Sequence, residues 1–200
     1  MINERHFLIV HGINQWTANP GWHDQLAREI EARPGPDSAT SLPWKGGPVS
    51  SLLWRRWNVH VLANHILLNL GWGELHGIAH SYGAVLLAGA MARAHVPFKT
   101  VRLFAPACSA DWEQNGYAEL LRAGLIDEVI VHGGPNDQTL LAVQRRSWRR
   151  WVGYGTLGLR SQNLPLELQH RIRLNYKPGR EHSWFTSERW WDWTVGTVTQ

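Results

Sequence analysis

The stretch that most constrains the fold runs from Leu75 to Ala90 and reads LHGIAHSYGAVLLAGA. It begins with a short apolar run, typical of a buried strand, and ends in an apolar run long enough for a helix. Only four residues separate the two runs, so the chain must turn sharply at Ser81. Large side chains are excluded two positions before and after such a turn, because the backbone there passes close to neighbouring chain. Ala79 and Gly83 occupy these positions, and the stretch therefore predicts strand, sharp turn and helix.

A serine on such a turn, flanked by small residues, has the pattern of a nucleophile elbow. Here the sequence resembles the α/β-hydrolase family, whose usual motif is Gly-X-Ser-X-Gly; Ala79 stands in place of the first glycine. The resemblance extends over nearly the whole chain. It implies an α/β fold with a mostly parallel sheet and helices on both faces, in a compact form that lacks the first two strands of the family.

The rest of the chain alternates apolar runs with helical patterns, as expected for parallel strands joined by helices. The runs that predict further strands lie at 6–10, 49–54, 100–106, 126–132 and 170–176. The segment from Pro34 to Pro48 is rich in Pro, Gly and Ser and predicts a loop around a weak element. A length of 200 residues predicts one domain, 1–200, with a short excursion at 107–124 where the family inserts a lid. The lid is thus expected to be small or absent.

The run at 6–10 ends in His11-Gly12-Ile13. In the family, a His-Gly pair at this place begins the loop of the oxyanion hole. The resemblance implies that the backbone N–H groups of Ile13 and Tyr82 stabilise the negative oxygen of a tetrahedral intermediate. The alternative is an ordinary strand-to-helix loop that uses the glycine for its turn. His11 is expected to support the loop.

Two further side chains occupy positions that the family uses for catalysis. Asp137 lies in a glycine-rich turn after the run at 126–132, where the family has its acid, although an aspartate in such a turn also serves turn formation. Asp127 and Asp111 are the alternatives. His182 follows the run at 170–176, where the family has its general base; the alternative is a surface histidine. The order Ser81, Asp137, His182 is that of α/β-hydrolases.

By this resemblance the chain is a serine hydrolase, similar to esterases and lipases, that cleaves a carboxylic ester through an acyl-enzyme. Thioester or amide hydrolysis, and a catalytically idle binding module, remain as alternatives. The expected substrate is a small-molecule or lipid-like acyl ester, the latter suggested by thirteen tryptophans. No cofactor is expected. No metal is expected either, because His76 and His80 lie four apart on a predicted strand, where this spacing does not form a metal site.

Charge and cysteine content add little. A net charge of +4 suits solubility, and no nucleic-acid partner is expected. A basic stretch around Trp148 could contact an anionic surface weakly, but a solvated helix face is the simpler interpretation. Its arginines are Arg145, Arg146, Arg149 and Arg150. A single cysteine, with neither a signal peptide nor a transmembrane segment in the sequence, predicts a cytoplasmic protein.

Overall fold

A computed structural model describes residues 4–13, 21–42, 44, 54–68, 71, 73–145 and 154–199. Within these ranges the strands are β1 (Arg5–Val10), β2 (Ser38–Leu42), β3 (Glu74–His80), β4 (Phe98–Phe104), β5 (Ile126–Gly133) and β6 (Ile172–Tyr176). The α-helices are α1 (Trp22–Glu31), α2 (Arg55–Leu68), α3 (Gly83–Ala94), α4 (Trp112–Asn115), α5 (Tyr117–Arg122), α6 (Gln138–Gln144) and α7 (Glu188–Val198). Short 3-10 helices span Leu166–Arg171 and Trp184–Thr186.

The six strands form one sheet in the order β2-β1-β3-β4-β5-β6, and every neighbouring pair is parallel. All strands therefore end at the same edge, where open α/β sheets place their binding sites. The structure confirms the predicted α/β class and the mostly parallel sheet.

Helices cover both faces of the sheet, as predicted. The run at 7–10 of β1 is continuously apolar: Leu8 and Val10 belong to the core under α2, α3 and α5, whereas Phe7 and Ile9 belong to the core under α1 and α7. Successive strand residues point to opposite faces, so a run that is covered on both faces has apolar side chains at successive positions.

The second strand lies in the segment whose composition predicted a loop around a weak element: β2 spans Ser38–Leu42. The prediction of a strand at 49–54 falls largely on residues 49–53, which are outside the described ranges. Trp54 directly precedes α2. Among the described strands, β2 lies at the edge of the sheet and pairs with β1 alone, and four of its five residues are only partly buried. Its sequence, SATSL, therefore lacks the apolar run that identifies a central strand.

The segment at 107–124 contains α4 and α5. Tyr117, Leu120 and Leu121 of α5 are buried in the larger core, so this helix packs on the body of the domain. No helix in the described ranges combines the length and the apolar character needed to cross a membrane.

Buried histidines make the stability of the fold dependent on pH. Burial lowers the pKa of His6, His11 and His76 to about 4, and that of His132 to about 3, from an ordinary value of 6.5. Between pH 6.5 and 4 the unfolded chain binds protons that the folded chain does not. The free energy of unfolding is therefore expected to be level above pH 7 and to fall below pH 6.5, by about 1 kcal/mol per pH unit for each such histidine.

Urea unfolding at pH 7.5, 6.5 and 5.5 measures this dependence. As a control, His132→Asn removes one of these histidines, so the free energy of unfolding should fall less steeply with pH, by the contribution of about one proton. A free energy of unfolding that is the same at pH 7.5 and 5.5 would contradict the prediction.

Candidate active site

Ser81 occupies a strained turn between β3 and α3. Its φ of 54° lies in the left-handed region, which non-glycine residues rarely adopt and which often marks a functional site. The neighbouring strand holds the turn: the N–H of Ser81 donates to the carbonyl of Phe104 at 3.1 Å, and the N–H of Ala107 donates to the carbonyl of Ser81 at 3.0 Å. A Cβ on Gly83 would lie 2.6 Å from two backbone oxygens at the end of β1. The requirement for a small residue at Gly83 is therefore steric, as the sequence suggested.

Asp137 lies in the turn that follows β5 and is completely buried. Its Oδ1 accepts the N–H of Leu140 at 3.0 Å and caps the first turn of α6. Its Oδ2 lies 2.9 Å from Nδ1 of His182. Gly134 allows this approach, since a Cβ there would lie 1.9 Å from the carbonyl oxygen of Arg180, in the loop that contains the histidine.

His182 connects Asp137 to Ser81. Its Nδ1 faces the carboxylate at 2.9 Å, and its Nε2 lies 2.8 Å from Oγ of Ser81. A carboxylate oxygen accepts, so Nδ1 bears the proton and Nε2 is left to accept from the serine hydroxyl. His182 lies 101 residues from Ser81 and 45 residues from Asp137 in the sequence. The structure brings the three predicted side chains together in one continuous line of hydrogen bonds.

The alternative carboxylates lie elsewhere. Asp127 is exposed and pairs with Nζ of Lys99 at 2.9 Å. Asp111 accepts the N–H of Glu113 at 3.0 Å and caps α4. Of the three candidates, the one that contacts His182 is Asp137.

The loop after β1 passes directly over the serine. A Cβ on Gly12 would lie 2.8 Å from Cβ of Ser81, so the backbone that leads into Ile13 passes next to the serine. Tyr82 follows the serine in sequence and is fully buried. The N–H groups of Ile13 and Tyr82 thus belong to backbone that adjoins Ser81, and their role as oxyanion donors stays a prediction. Residues 14–20, which follow Ile13 in the sequence, are outside the described ranges.

His11 supports this loop. Its Nδ1 lies 2.6 Å from the carbonyl of Gly12. Its own carbonyl accepts from Nε1 of Trp44 at 2.8 Å, and the rings of His11 and Trp44 stack with centroids 5.2 Å apart. Burial lowers its pKa to about 4, so the ring is neutral near pH 7.

The two histidines weighed as metal ligands have separate surroundings. The ring of His76 stacks on Phe7 with centroids 5.0 Å apart. His80 is buried at the end of β3, and its Nε2 lies 3.0 Å from the carbonyl oxygen of His182. In the described part of the chain, no group of three or more His, Cys, Asp or Glu side chains is arranged to hold a metal ion. Sequence reasoning missed the contact from His80 to the loop of His182, because nothing local predicts it.

A cavity of about 1150 Å³ lies along α3, and Ser81, Asp137 and His182 are not among the residues that line it. Its wall includes Val85 of α3 and Tyr154, whose ring stacks on Tyr82 with centroids 4.4 Å apart. Asp111 and Arg160 also line it, so the lining combines apolar and charged groups.

The predicted basic face falls mostly on residues outside the described ranges. Arg145 lies just after α6 and is exposed, whereas Arg146, Arg149 and Arg150 are among the residues that the structure leaves undescribed. Contact with an anionic surface therefore stays a prediction.

No protein-family model and no curated protein sequence matches the chain. Solved structures match it throughout its length. An esterase from the planctomycete Thermogutta terrifontis, with butyrate bound, is 14% identical, with a TM-score of 0.55 over 99% of this chain and 82% of that one. A protein from Xanthomonas campestris assigned to the α/β hydrolase superfamily is 12% identical, with a TM-score of 0.55 over 97% and 98% of the two chains.

A third structure, the HSL homologue EstE7 from a metagenome library, is 15% identical, with a TM-score of 0.56 over 97% of this chain and 75% of that one. At these identities the likeness concerns the fold. The chain has the α/β-hydrolase fold, and the family resemblance of its sequence is confirmed at that level.

Proposed function

We propose that this α/β-hydrolase-fold protein is a serine hydrolase that cleaves carboxylic esters through an acyl-enzyme. The observation that supports the proposal most directly is the line of hydrogen bonds from Ser81 Oγ to His182 at 2.8 Å and from His182 to Asp137 at 2.9 Å. A serine hydroxyl is a weak nucleophile by itself, and an adjacent base that accepts its proton activates it.

In the proposed mechanism, Nε2 of His182 takes the proton of Ser81 as Oγ attacks the ester carbonyl carbon. The carbonyl oxygen becomes negative and accepts from the N–H groups of Ile13 and Tyr82. The tetrahedral intermediate collapses as its bond to the alcohol oxygen breaks, and the imidazolium gives its proton to the departing alcohol. Water, deprotonated by the same nitrogen, then attacks the acyl carbon of the acyl-enzyme. The bond from that carbon to Oγ breaks, the imidazolium gives its proton back to Oγ, and the acid leaves with Ser81 restored.

Asp137 has two tasks in this scheme. Its carboxylate holds the proton of His182 on Nδ1, so that Nε2 is always the accepting nitrogen, and it stabilises the imidazolium that forms during each step. Because Oδ1 is engaged with the N–H of Leu140 and the side chain is buried, Oδ2 has a fixed direction. None of these steps uses a metal or an organic cofactor.

Esters are the favoured substrate class, since two of the structurally similar proteins described above are esterases or hydrolases by name and one holds butyrate. Thioesters and amides react through the same tetrahedral intermediate and are the alternative substrates.

A fluorophosphonate probe tests the proposal, because it labels a serine only when that serine is activated. The wild-type protein is expected to be labelled at Ser81, and Ser81→Ala to remain unlabelled. Ser183→Ala is the matched control, since Ser183 is exposed in the loop next to His182 and should leave labelling unchanged. If the folded wild-type protein takes no label and cleaves no nitrophenyl ester, the idle binding module is the correct interpretation.

A further inference from the structure

His80, the last residue of β3, links the serine turn to the loop that contains the histidine of the proposed triad. The side chain is 2% exposed, and its Nε2 lies 3.0 Å from the carbonyl oxygen of His182, which is 102 residues away in sequence. Its ring centroid lies 4.9 Å from that of His182 and 4.8 Å from that of Phe185. The imidazole therefore packs against the same segment to which it hydrogen-bonds, and the ring of Trp22 in α1 contacts it edge-on with centroids 5.9 Å apart.

The tautomer of His80 follows from this contact. A carbonyl oxygen only accepts, so Nε2 must bear the proton and donate it, which leaves Nδ1 unprotonated. Nδ1 is buried and has no hydrogen-bond partner within the described ranges. It lies against the loop of Gly12, where an added Cβ would come within 3.1 Å of it. A buried acceptor without a partner destabilises a fold, so packing alone does not account for a histidine here.

The contact complements the one made by Asp137. Asp137 fixes the rotation of the His182 ring through Nδ1, but it does not fix the position of the backbone from which the ring projects. Two other contacts hold the loop at its start: the N–H of Lys177 donates to the carbonyl of Gly133 at 3.1 Å, and Arg180 donates to the carbonyl of Asn175 at 2.8 Å. His80 holds the histidine residue itself, and does so from the position adjoining Ser81.

We propose that His80 is a positioning residue that, by donating to the carbonyl of His182, sets the separation between Nε2 of His182 and Oγ of Ser81. The inference rests on the proposed hydrolase function. A displacement of about 1 Å between reacting groups can reduce a rate by about 100-fold, so a bond that fixes this separation acts mainly on turnover. Substrate binding, which depends on other contacts, should change little.

His80 does not exchange protons in this scheme. Burial, with the nearby His182 as a smaller cause, holds its pKa well below 6.5. The donor therefore stays neutral and keeps the same tautomer while His182 gains and loses its proton.

A pair of amide variants separates positioning from packing. In His80→Gln the amide nitrogen reaches about as far as the imidazole Nε2 and can still donate to the carbonyl of His182, whereas in His80→Asn it is too short. We expect kcat for a nitrophenyl ester to fall by about 10- to 100-fold in His80→Asn, and by less than about threefold in His80→Gln, with KM changed less than about threefold in both. The rate of fluorophosphonate labelling should follow kcat.

A merely structural role predicts a different result. Both variants remove the ring and its packing against Phe185, so kcat would fall equally in both and in step with the melting temperature. Equal losses of kcat, or a loss confined to KM, would overturn the proposal. Circular dichroism of each variant, and its melting temperature, show whether it is folded under the assay conditions.

The hydrogen bond has a readout that needs no activity. In an ¹⁵N-correlated NMR spectrum of the histidine side chains at pH 7.5, we expect His80 to show the Nε2–H tautomer, and a spectrum with the proton on Nδ1 would overturn the proposal. Failure of the proposed function has another signature: the folded wild-type protein would not react with the probe at all, whatever the tautomer of His80.

Discussion

Replacing Ser81 or His182 by alanine is expected to lower kcat for nitrophenyl ester hydrolysis by about 10³-fold or more, and replacing both is expected to cost little beyond either single change. The reason is that the hydroxyl and the imidazole act as one unit across their 2.8 Å hydrogen bond. Without the base the hydroxyl keeps its proton, and without the hydroxyl the base has nothing to activate. The residual rate would come from binding and from the backbone donors near Ser81.

Steady-state kinetics on nitrophenyl esters of several acyl lengths measure this effect and also give the chain-length preference. His170→Ala and Ser183→Ala are matched controls, because both residues are exposed and lie outside the hydrogen-bonded line. Melting temperatures near that of the wild type would show that the variants are folded. Losses that multiply in the double variant would mean that Ser81 and His182 act independently, which contradicts the proposed mechanism.

The parts of the structure that could be predicted from sequence are those with a local steric or burial signal. The runs at 7–10 of β1 and 77–79 of β3 are buried on both faces and are apolar. Gly83 had to be small because backbone oxygens lie 2.6 Å from where its Cβ would be. The general requirement for small residues where two backbone segments lie close together was enough to locate the turn at Ser81.

Other features had no local signal. β2 is a short, partly buried edge strand, and its Ser and Thr residues are equally typical of a loop. The contact between His80 and the carbonyl of His182 depends on how two distant segments fold together, since either residue alone resembles many other histidines. The cavity beside Tyr154 depends in the same way on the packing of several segments.

The carboxylate is an intermediate case. Asp137, Asp127 and Asp111 all lie near strand or helix ends, and an aspartate in a Pro-Asn-Asp turn has a structural use whatever else it does. The resemblance to the hydrolase family favoured Asp137 through its place in the chain order. What distinguishes it physically is its contact with Nδ1 of His182, for which Gly134, three residues earlier in the same turn, leaves room. This contact depends on how the two loops pack together.

Asp137→Asn is expected to reduce kcat by about 10³-fold while preserving the fold. The introduced amide can keep the cap on α6 by accepting the N–H of Leu140 through its oxygen. Its NH₂ group would then face Nδ1 of His182 and donate to it, which moves the imidazole proton to Nε2. In that tautomer the nitrogen next to Ser81 Oγ is a donor and cannot accept the serine proton. The imidazolium would also lose its buried counter-charge.

Asp127→Asn is the matched control, because it makes the same chemical change at an exposed side chain whose partner is Lys99. We expect its kcat to stay within about twofold of the wild type, as is usual for a surface substitution away from the site. Kinetics of the two variants, with fluorophosphonate labelling of each, decide between the carboxylates. Full turnover in Asp137→Asn with loss of turnover in Asp127→Asn would show that Asp127 is the catalytic carboxylate and that the assignment to Asp137 is wrong. Full turnover in both would mean that the imidazole of His182 needs no carboxylate to keep its tautomer, and the reading of the three side chains as a single catalytic unit would fail with it.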